Sequence, residues 1–389
     1  MMPRKLVGVM GSGLIGTDPY AENAWSGSSR FFFGECGRQG MLHRAFGVEA
    51  PPARRIPLML RNFSPDRSLW RQKFYLDTGY YRLLSRLIGS SLQGADHECD
   101  VLQIGGIYHL RPLLRPTTRL FSYHDANLAQ AIHSPHFPRN ISKRRVQRAF
   151  DYERRVYDDI DMIFTMSDYL RGMFIEHFGV EPARVTTIGA GINLTSLPEL
   201  PTAKRYDTQR LLFIGADFER KGGVQLLQAF KQVRAVHPAA ELTIVGPRQL
   251  TIPAQYSAGV VYLGFLSKTN TEQMRRFREV LEGASLFVLP SLYEPFGIAP
   301  LEAMAHGIPA VLTDDWAFPE MVAPGRTGAL VPAGNVQALA EQLIGLLRDP
   351  DGLRSMGAAG RALVEEKFTW SAVVRRLRKE LTSTDQPNR

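Results

Sequence analysis

The sequence predicts an α/β protein with parallel sheets, arranged as two domains. Three observations lead there. Short apolar runs alternate with amphipathic stretches along the chain, the pattern of strand and helix in turn. The 389 residues suffice for two domains, each burying its own core. A polar segment holding two prolines, "TSLPELPTAKRYDTQR" at residues 195–210, interrupts the alternation midway. The expected division is therefore a first domain over residues 1–194, a linker over 195–210 and a second domain over 211–369.

Each element follows from its local pattern. In the first half the strand candidates are "KLVGVM", "VLQIGG", "RLFSYHD" and "MIFTMS". In the second half they are "RLLFIGA", "ELTIVG", "VVYLGF", "LFVLPS" and "PAVLT". "VQLLQAFKQVRAVHP" has apolar residues at helical spacing and stops at a proline. "NVQALAEQLIGLLRDP" does the same and opens on an asparagine suited to cap a helix.

Composition narrows the class. With 44% hydrophobic and 22% charged residues the chain is of ordinary globular type, and no apolar run approaches the roughly 18 residues of a spanning helix. The opening "MMPRKLVGVMGSGLIG" has a glycine-rich middle and no small-residue cleavage site, which argues against a signal peptide. Only Cys36 and Cys99 occur, too few for a disulfide framework or a cysteine metal cluster, and a cytoplasmic location is expected. The net charge of +9 favours an acidic partner, either a phosphate-rich ligand or an anionic lipid surface. Nucleic acid is not expected, because no basic motif interleaved with aromatic residues supports it.

"VGVMGSGLIGT" carries Gly11, Gly13 and Gly16 in the spacing of a dinucleotide fingerprint. That fingerprint requires a helix to begin inside the glycine run and an acidic residue about 20 positions on. Glu35 follows the apolar "RFFF", but "TDPYAENAWSGSSR" is turn and cap chemistry, and "FFFGECGRQGML" reads as helix. An NAD-dependent oxidoreductase therefore ranks last.

The second half carries stronger chemistry. In "LLFIGADFERKGG" an apolar strand runs into Gly215, and a loop then brings Arg220 and Lys221 ahead of a helix. Small residues let a ligand approach the backbone. Adjacent cations at a strand's C-terminal end suit a pyrophosphate, the arginine as a fork and the lysine as a point charge. In "LPSLYEPFGIAPLEAMAHGIPAVLT" a strand gives way to Glu294, Pro295, Phe296 and Gly297, and a helix is expected from there to Gly307, with Pro300 in its first turn. Its N-terminus would offer free N–H groups to an anion. Glu294 and Glu302 could both face one ligand, each carboxylate being a good acceptor for a vicinal diol.

The combination of "GADFERKGG" with "EPFGIAPLEAMAHGIPAV" resembles the retaining glycosyltransferases of family 4, which have the GT-B fold: two Rossmann-like domains facing across a cleft. The likeness is strongest over residues 185–372. "TMSDYLRGMFIEHFGVEPARVTTIGAGIN" is similar to the family's approach to the hinge, and "FTWSAVV" to its last helix, which implies that residues 370–385 return to the first domain. The resemblance implies that Arg220 and Lys221 hold the diphosphate, that Glu302 holds the ribose hydroxyls and that Glu294 contacts the transferred sugar. Backbone N–H groups around Phe296, Gly297 and Ile298 would touch sugar and phosphate. His124, in "FSYHD", matches a first-domain histidine beside the sugar, and Gly11 and Gly13 become clearance for the donor phosphates or the acceptor. Two departures stand out. Asn193 replaces the aspartate common at the hinge, and "AWSGSSR" offers only Gly27 where a double-glycine loop is usual.

The reaction implied is transfer of a sugar from a nucleoside diphosphate sugar to an acceptor hydroxyl, with same-face attack and the leaving phosphate taking the acceptor's proton. A UDP-sugar is preferred to a GDP- or ADP-sugar. The scheme requires no cofactor and no divalent metal, and the D-x-D motif of metal-dependent glycosyltransferases is not expected in this sequence. A glycan, lipid or small molecule would be the acceptor. "PRNISKRRVQRAFDYERR", residues 138–155, holds seven Lys or Arg against two acids and would dock the protein on the inner face of a membrane. The alternatives are a non-catalytic nucleotide-sugar-binding protein and another GT-B enzyme such as an epimerase.

Overall fold

A computed structural model of the chain describes residues 4–11, 18–22, 24–93, 99–201, 204–268 and 270–383. The chain forms two units, Met1–Asn193 with Trp370–Arg389, and Leu194–Thr369.

The first unit is built on strands β1 (Lys5–Gly11), β2 (Leu42–Val48), β3 (Cys99–Ile104), β4 (Leu120–His124), β5 (Met162–Thr165) and β6 (Val185–Thr187). They pair in parallel in the order β2-β1-β3-β4-β5-β6. Every residue of β3, β4 and β5 is buried, the condition of strands covered by helices on both faces. The second unit carries β7 (Arg210–Ile214), β8 (Glu241–Val245), β9 (Val260–Gly264), β10 (Leu286–Leu289), β11 (Ala310–Thr313) and β12 (Gly328–Val331). These are also parallel, in the order β12-β11-β10-β7-β8-β9. Each sheet reverses its direction of growth once, beside β1 in the first and between β7 and β10 in the second. Ligands of open α/β sheets bind outside the C-terminal ends of strands at such a reversal.

All nine strands read from apolar runs are present. The three that were not, β2, β6 and β12, are sheet edges. β2 is mostly half-exposed and includes His43 and Arg44, so it shows no apolar run, and β6 has only three residues. The expected helices occur as Gly223–Val236 and Val336–Leu347, the second capped by the side chain of Asn335 accepting from Ala338 N. "FFFGECGRQGML" divides: Ser28–Arg38 is helical, and β2 starts at Leu42.

The stretch expected as a linker is packed at its far end. Lys204 is buried, and its ammonium donates to the carbonyls of Leu281, Glu282 and Ala284 at 3.0–3.2 Å. Those groups close the helix Thr271–Gly283, whose last carbonyls lack partners within the helix. Tyr206 donates its hydroxyl proton to Gly307 O at 2.7 Å. Both residues therefore belong to the second unit's core.

The last helix, Trp370–Ser383, packs within the first unit: the Trp370 ring meets Phe32 at 5.7 Å, and Arg376 Nε donates to Ile188 O at 2.7 Å. The two departures from the family pattern meet here. Asn193 accepts from Trp370 Nε1 at 3.3 Å, while its own amide donates to Ser26 O and Ser28 Oγ at 3.1 and 3.2 Å. An aspartate could accept the first bond but donate neither of the others. Asn193 thus ties "AWSGSSR", whose Trp25, Ser26 and Gly27 all have positive φ, to the final helix.

Candidate active site

In the second unit, the loops after β7 and β10 leave the C-terminal ends of neighbouring strands. Arg220 joins them. Its carbonyl accepts from Leu292 N at 2.9 Å, its Nη1 donates to Tyr293 O at 2.7 Å, and Asp217 holds its Nε at 3.1 Å. Beside it Lys221 Nζ lies 2.6 Å from Glu294 Oε2, with Arg220 Nη1 3.8 Å from the same oxygen. Three residues singled out in the sequence, 73 positions apart, thus form one partly buried cluster.

The glycines explain how the loops come so close. Gly222 has φ +73°, and a Cβ there would overlap the carbonyl oxygen of Pro290, at the end of β10. Gly215 has a different use from the one expected. A Cβ on it would collide with Lys221 Cδ, so the clearance serves the lysine's own stem rather than a ligand.

Gly297, with φ +92°, turns the chain into the helix Ile298–Ala305. Phe296 is anchored in the core, Pro295 and Ile298 are half-buried, and Pro300 lies within the first turn. Glu302 does not join Glu294. Lys268, which follows the edge strand β9, places its ammonium 2.7 and 2.8 Å from the two oxygens of Glu302. Lys268 ends "YLGFLSK", a stretch expected from the sequence to border the nucleotide base, although the lysine itself was not singled out. Its place just beyond a strand's C-terminal end was the available signal.

In the first unit Gly11 is the final residue of β1, whereas Gly13 and Gly16 lie outside the described residues. Among the described residues the first α-helix after β1 is Ser28–Arg38, and Glu35 sits inside it bonded to Arg38 and Gln39. The acidic residue that a dinucleotide fingerprint places at the end of the second strand is therefore not supplied by Glu35.

His124 closes β4 and borders a cavity of about 290 Å³ lined by Tyr75, Asn127, Tyr152 and Glu153 among others. The ring packs against Tyr157 and Phe174, and Nε2 is buried with no hydrogen-bond partner among the described residues. Burial pushes the imidazole down to about 3, so it is neutral in the working range. Asn127 spends its oxygen on capping the helix Leu128–His133, and its Nδ2 is buried without a partner among the described residues. Such groups suit a polar ligand, because each one left unmatched costs about 1–3 kcal/mol.

Burial raises the Glu153 carboxyl to about 7, against partial relief from Leu128 N and the Tyr157 hydroxyl, which donate to it at 3.1 and 3.2 Å. A carboxyl whose folded pKa is raised adds stability fully below its unfolded pKa and loses it as pH climbs through the folded value. Glu153→Gln keeps an acceptor for both donors and removes the titration. Its stability relative to the parent should therefore rise between about pH 5 and about pH 8, as read from urea midpoints. A constant difference across that window would show that Glu153 does not titrate there.

Two D-x-D spacings do occur, and both are engaged. Asp159 bonds His109 and Asp161 bonds Arg111 at the start of β5, the end of the strand away from its C-terminal loop. Asp349 caps the helix Pro350–Lys367, and Asp351 pairs with Arg354. Among the described residues no group of three or more His, Cys, Asp or Glu could hold a metal ion. Among them, too, no helix is long and apolar enough to cross a membrane.

Comparison with known proteins gives concordant matches for the two halves. The model for "Glycosyltransferase Family 4" matches residues 42–196, and that for "Glycosyl transferases group 1" matches residues 201–363. An alpha-maltose-1-phosphate synthase from Mycolicibacterium smegmatis is 31% identical over 57% of this chain and 62% of its own length. A GDP-mannose-dependent phosphatidylinositol monomannoside mannosyltransferase from Corynebacterium glutamicum is 30% identical over 59% of this chain and 64% of its own. The chain thus spans less than two thirds of either relative. Among solved structures, a sucrose-phosphate synthase from Thermosynechococcus elongatus aligns over 98% of this chain and 100% of its own, with a TM-score of 0.66 at 19% identity. Anabaena HepE in complex with UDP aligns over 97% of this chain and 100% of its own, with a TM-score of 0.62 at 17% identity. The fold is GT-B, with two Rossmann-like units.

Proposed function

The chain belongs to glycosyltransferase family 4, and on that premise we propose that it moves a glycosyl group from a nucleoside diphosphate sugar to a hydroxyl of a lipid or glycan acceptor, with retention at the anomeric carbon. The observation that carries this reading is that Arg220 and Lys221, on the loop after β7, meet Tyr293 and Glu294, on the loop from β10 into the helix Ile298–Ala305.

Rupture of the anomeric C–O bond builds negative charge on the departing diphosphate and positive charge on the sugar. Lys221 as a point charge, Arg220 as a fork and the first N–H groups of the helix Ile298–Ala305, around Gly297 and Ile298, oppose the phosphate charge without having to reorganise. Glu294, steadied by Lys221, orients a hydroxyl of the transferred sugar. Glu302 takes the ribose hydroxyls, with Lys268 as its partner in their absence. The acceptor oxygen bonds to the anomeric carbon on the face the phosphate leaves, and a phosphate oxygen takes the acceptor proton.

A UDP-sugar is the preferred donor. HepE, captured with UDP, supports that choice, and the C. glutamicum relative, named for GDP-mannose, keeps a GDP-sugar as the second arm of the test. The cavity beside His124 is the acceptor's site. Its neutral imidazole and the Asn127 amide read hydroxyls there, and the enzyme works in the cytoplasm at a membrane surface.

Thermal denaturation with UDP, GDP and ADP tests the donor assignment. The preferred nucleotide, at about 100 times its Kd, should add about 2.7 kcal/mol and raise Tm by roughly 5–10 °C. The nucleoside monophosphates should do much less, because Arg220 and Lys221 are assigned to the diphosphate. No shift with any of the three diphosphates would overturn the reading.

A further inference from the structure

We infer that the first unit docks on an anionic lipid bilayer through the helix Pro52–Arg61 and the turn that follows it, rather than through the basic segment 138–155 alone. This goes beyond the transferase reading and does not depend on it. None of the residues of Pro52–Arg61 is buried. Leu58 and Met59 rest partly buried against the unit's core, whereas Ile56, Leu60 and Phe63 are 51%, 66% and 59% exposed. These are the three most exposed large apolar side chains among the described residues. A spacing of four residues places Ile56 and Leu60 in a stripe on one side of the helix, away from Leu58, and Phe63 follows in the turn just past its end. Phe63 stacks edge-on to Trp70 at 5.7 Å, and Trp70 Nε1 donates to Met59 O at 2.9 Å, giving the stripe an aromatic border.

The charge around the stripe selects the partner. Residues 50–75 hold Arg54, Arg55, Arg61, Arg67, Arg71 and Lys73 against one acid, Asp66, which is spent on capping the helix Arg67–Tyr75. Arg55 and Arg61 pair with Glu49 and Asp77, while Arg54, Arg67 and Arg71 are exposed. An apolar stripe rimmed by cations is the pattern of a helix lying in a bilayer interface, with its apolar side chains among the acyl chains and its cations at anionic headgroups. A second copy fits poorly, because a two-fold contact would set this cationic rim against itself.

The segment 138–155 extends the same face. Arg145, in the helix Lys143–Asp158, donates to Asn62 and to Lys73 O. That helix exposes polar and charged side chains only, for Ala149, Tyr152 and Val156 are buried and Val146 and Phe150 pack on the core. It can add Coulomb attraction but has nothing to insert.

Sedimentation of the full chain with phosphatidylcholine vesicles, with and without phosphatidylglycerol, tests the proposal. Binding is expected only when phosphatidylglycerol is present, with a blue shift of tryptophan emission that Trp70→Phe removes. The triple variant I56S/L60S/F63S should bind at least about tenfold more weakly at unchanged Tm, because its sites are exposed. Replacing Arg144 and Arg148 by glutamine should weaken binding by a smaller factor. Failure of the parent chain to bind, equal binding by the triple variant, or a parental dimer that the triple variant converts to monomer would each overturn it. None of these outcomes touches nucleotide binding, so the donor reading stands or falls separately.

Discussion

Lys221→Met is expected to lower the rate of nucleoside diphosphate release from the donor sugar by about 10²–10³-fold, the usual loss when one preorganised charge-stabilising donor is removed. The lysine is the cleaner of the two cations to remove. Arg220 also joins the β7 and β10 loops through Leu292 and Tyr293, so its replacement would mix a catalytic loss with a structural one. The Lys221 ammonium bonds Glu294, and its stem fills the space over Gly215. Methionine preserves that stem. It does leave Glu294 with Arg220 at 3.8 Å as its nearer remaining cation, so the double variant K221M/E294Q is the necessary companion. A charge role predicts that both variants lose transfer while keeping Tm within a few degrees. Full turnover by Lys221→Met would remove the diphosphate assignment. Arg220→Lys adds a comparison of geometry at constant charge, since an ammonium cannot reproduce the bidentate fork.

Gly222→Ala is expected to destabilise the second unit by roughly 2–5 kcal/mol, combining the left-handed backbone penalty with the cost of overpacking. The residue has φ +73°, and its missing side chain is what allows the β7 loop to abut the carbonyl of Pro290. An added methyl must push the two loops apart at the point where Arg220 and Lys221 reach Tyr293 and Glu294. Nucleotide binding should therefore fall along with the denaturation midpoint. Gly345→Ala is the control. It lies inside the helix Val336–Leu347 with no atom within 4 Å of an added Cβ, so alanine should be neutral or stabilising by up to about 1 kcal/mol. Equal stability of the two variants would mean that the close approach at Gly222 is unimportant.

The central strands were legible because both of their faces are covered, which forces the near-continuous apolar run seen in "VLQI", "LFVL" and "AVLT". Edge strands escape that constraint. β2 carries His43 and Arg44 on a half-exposed surface, and β12 opens on a glycine pressed against Ala310. Loop chemistry was legible in part. Arg220, Lys221, Glu294 and Glu302 stood out as charges at the ends of apolar runs, but their pairing did not. Glu294 and Glu302 stood out as carboxylates that could face one ligand, but the bond that each makes to a separate lysine in the folded chain did not. Glu153 and Asn127 drew no notice because a single polar residue on an amphipathic helix, or at its cap, ordinarily reads as surface or cap.

Residue type and period were enough to establish the α/β class, the two-part division and the strand-end position of the cations, since these follow from burial and turn chemistry within a dozen neighbouring residues. Strand order required the folded chain. The crossover that sets β10 beside β7 brings Lys221 to Glu294 across 73 positions, and the turn of the final helix back into the first unit brings Trp370 to Asn193 across 177. Contacts of that separation depend on which strand pairs with which, and no local period encodes that. The same holds for Gly215, read as space for a ligand and occupied by the stem of the lysine six residues on, because only the path of the loop reveals what fills the room a glycine leaves.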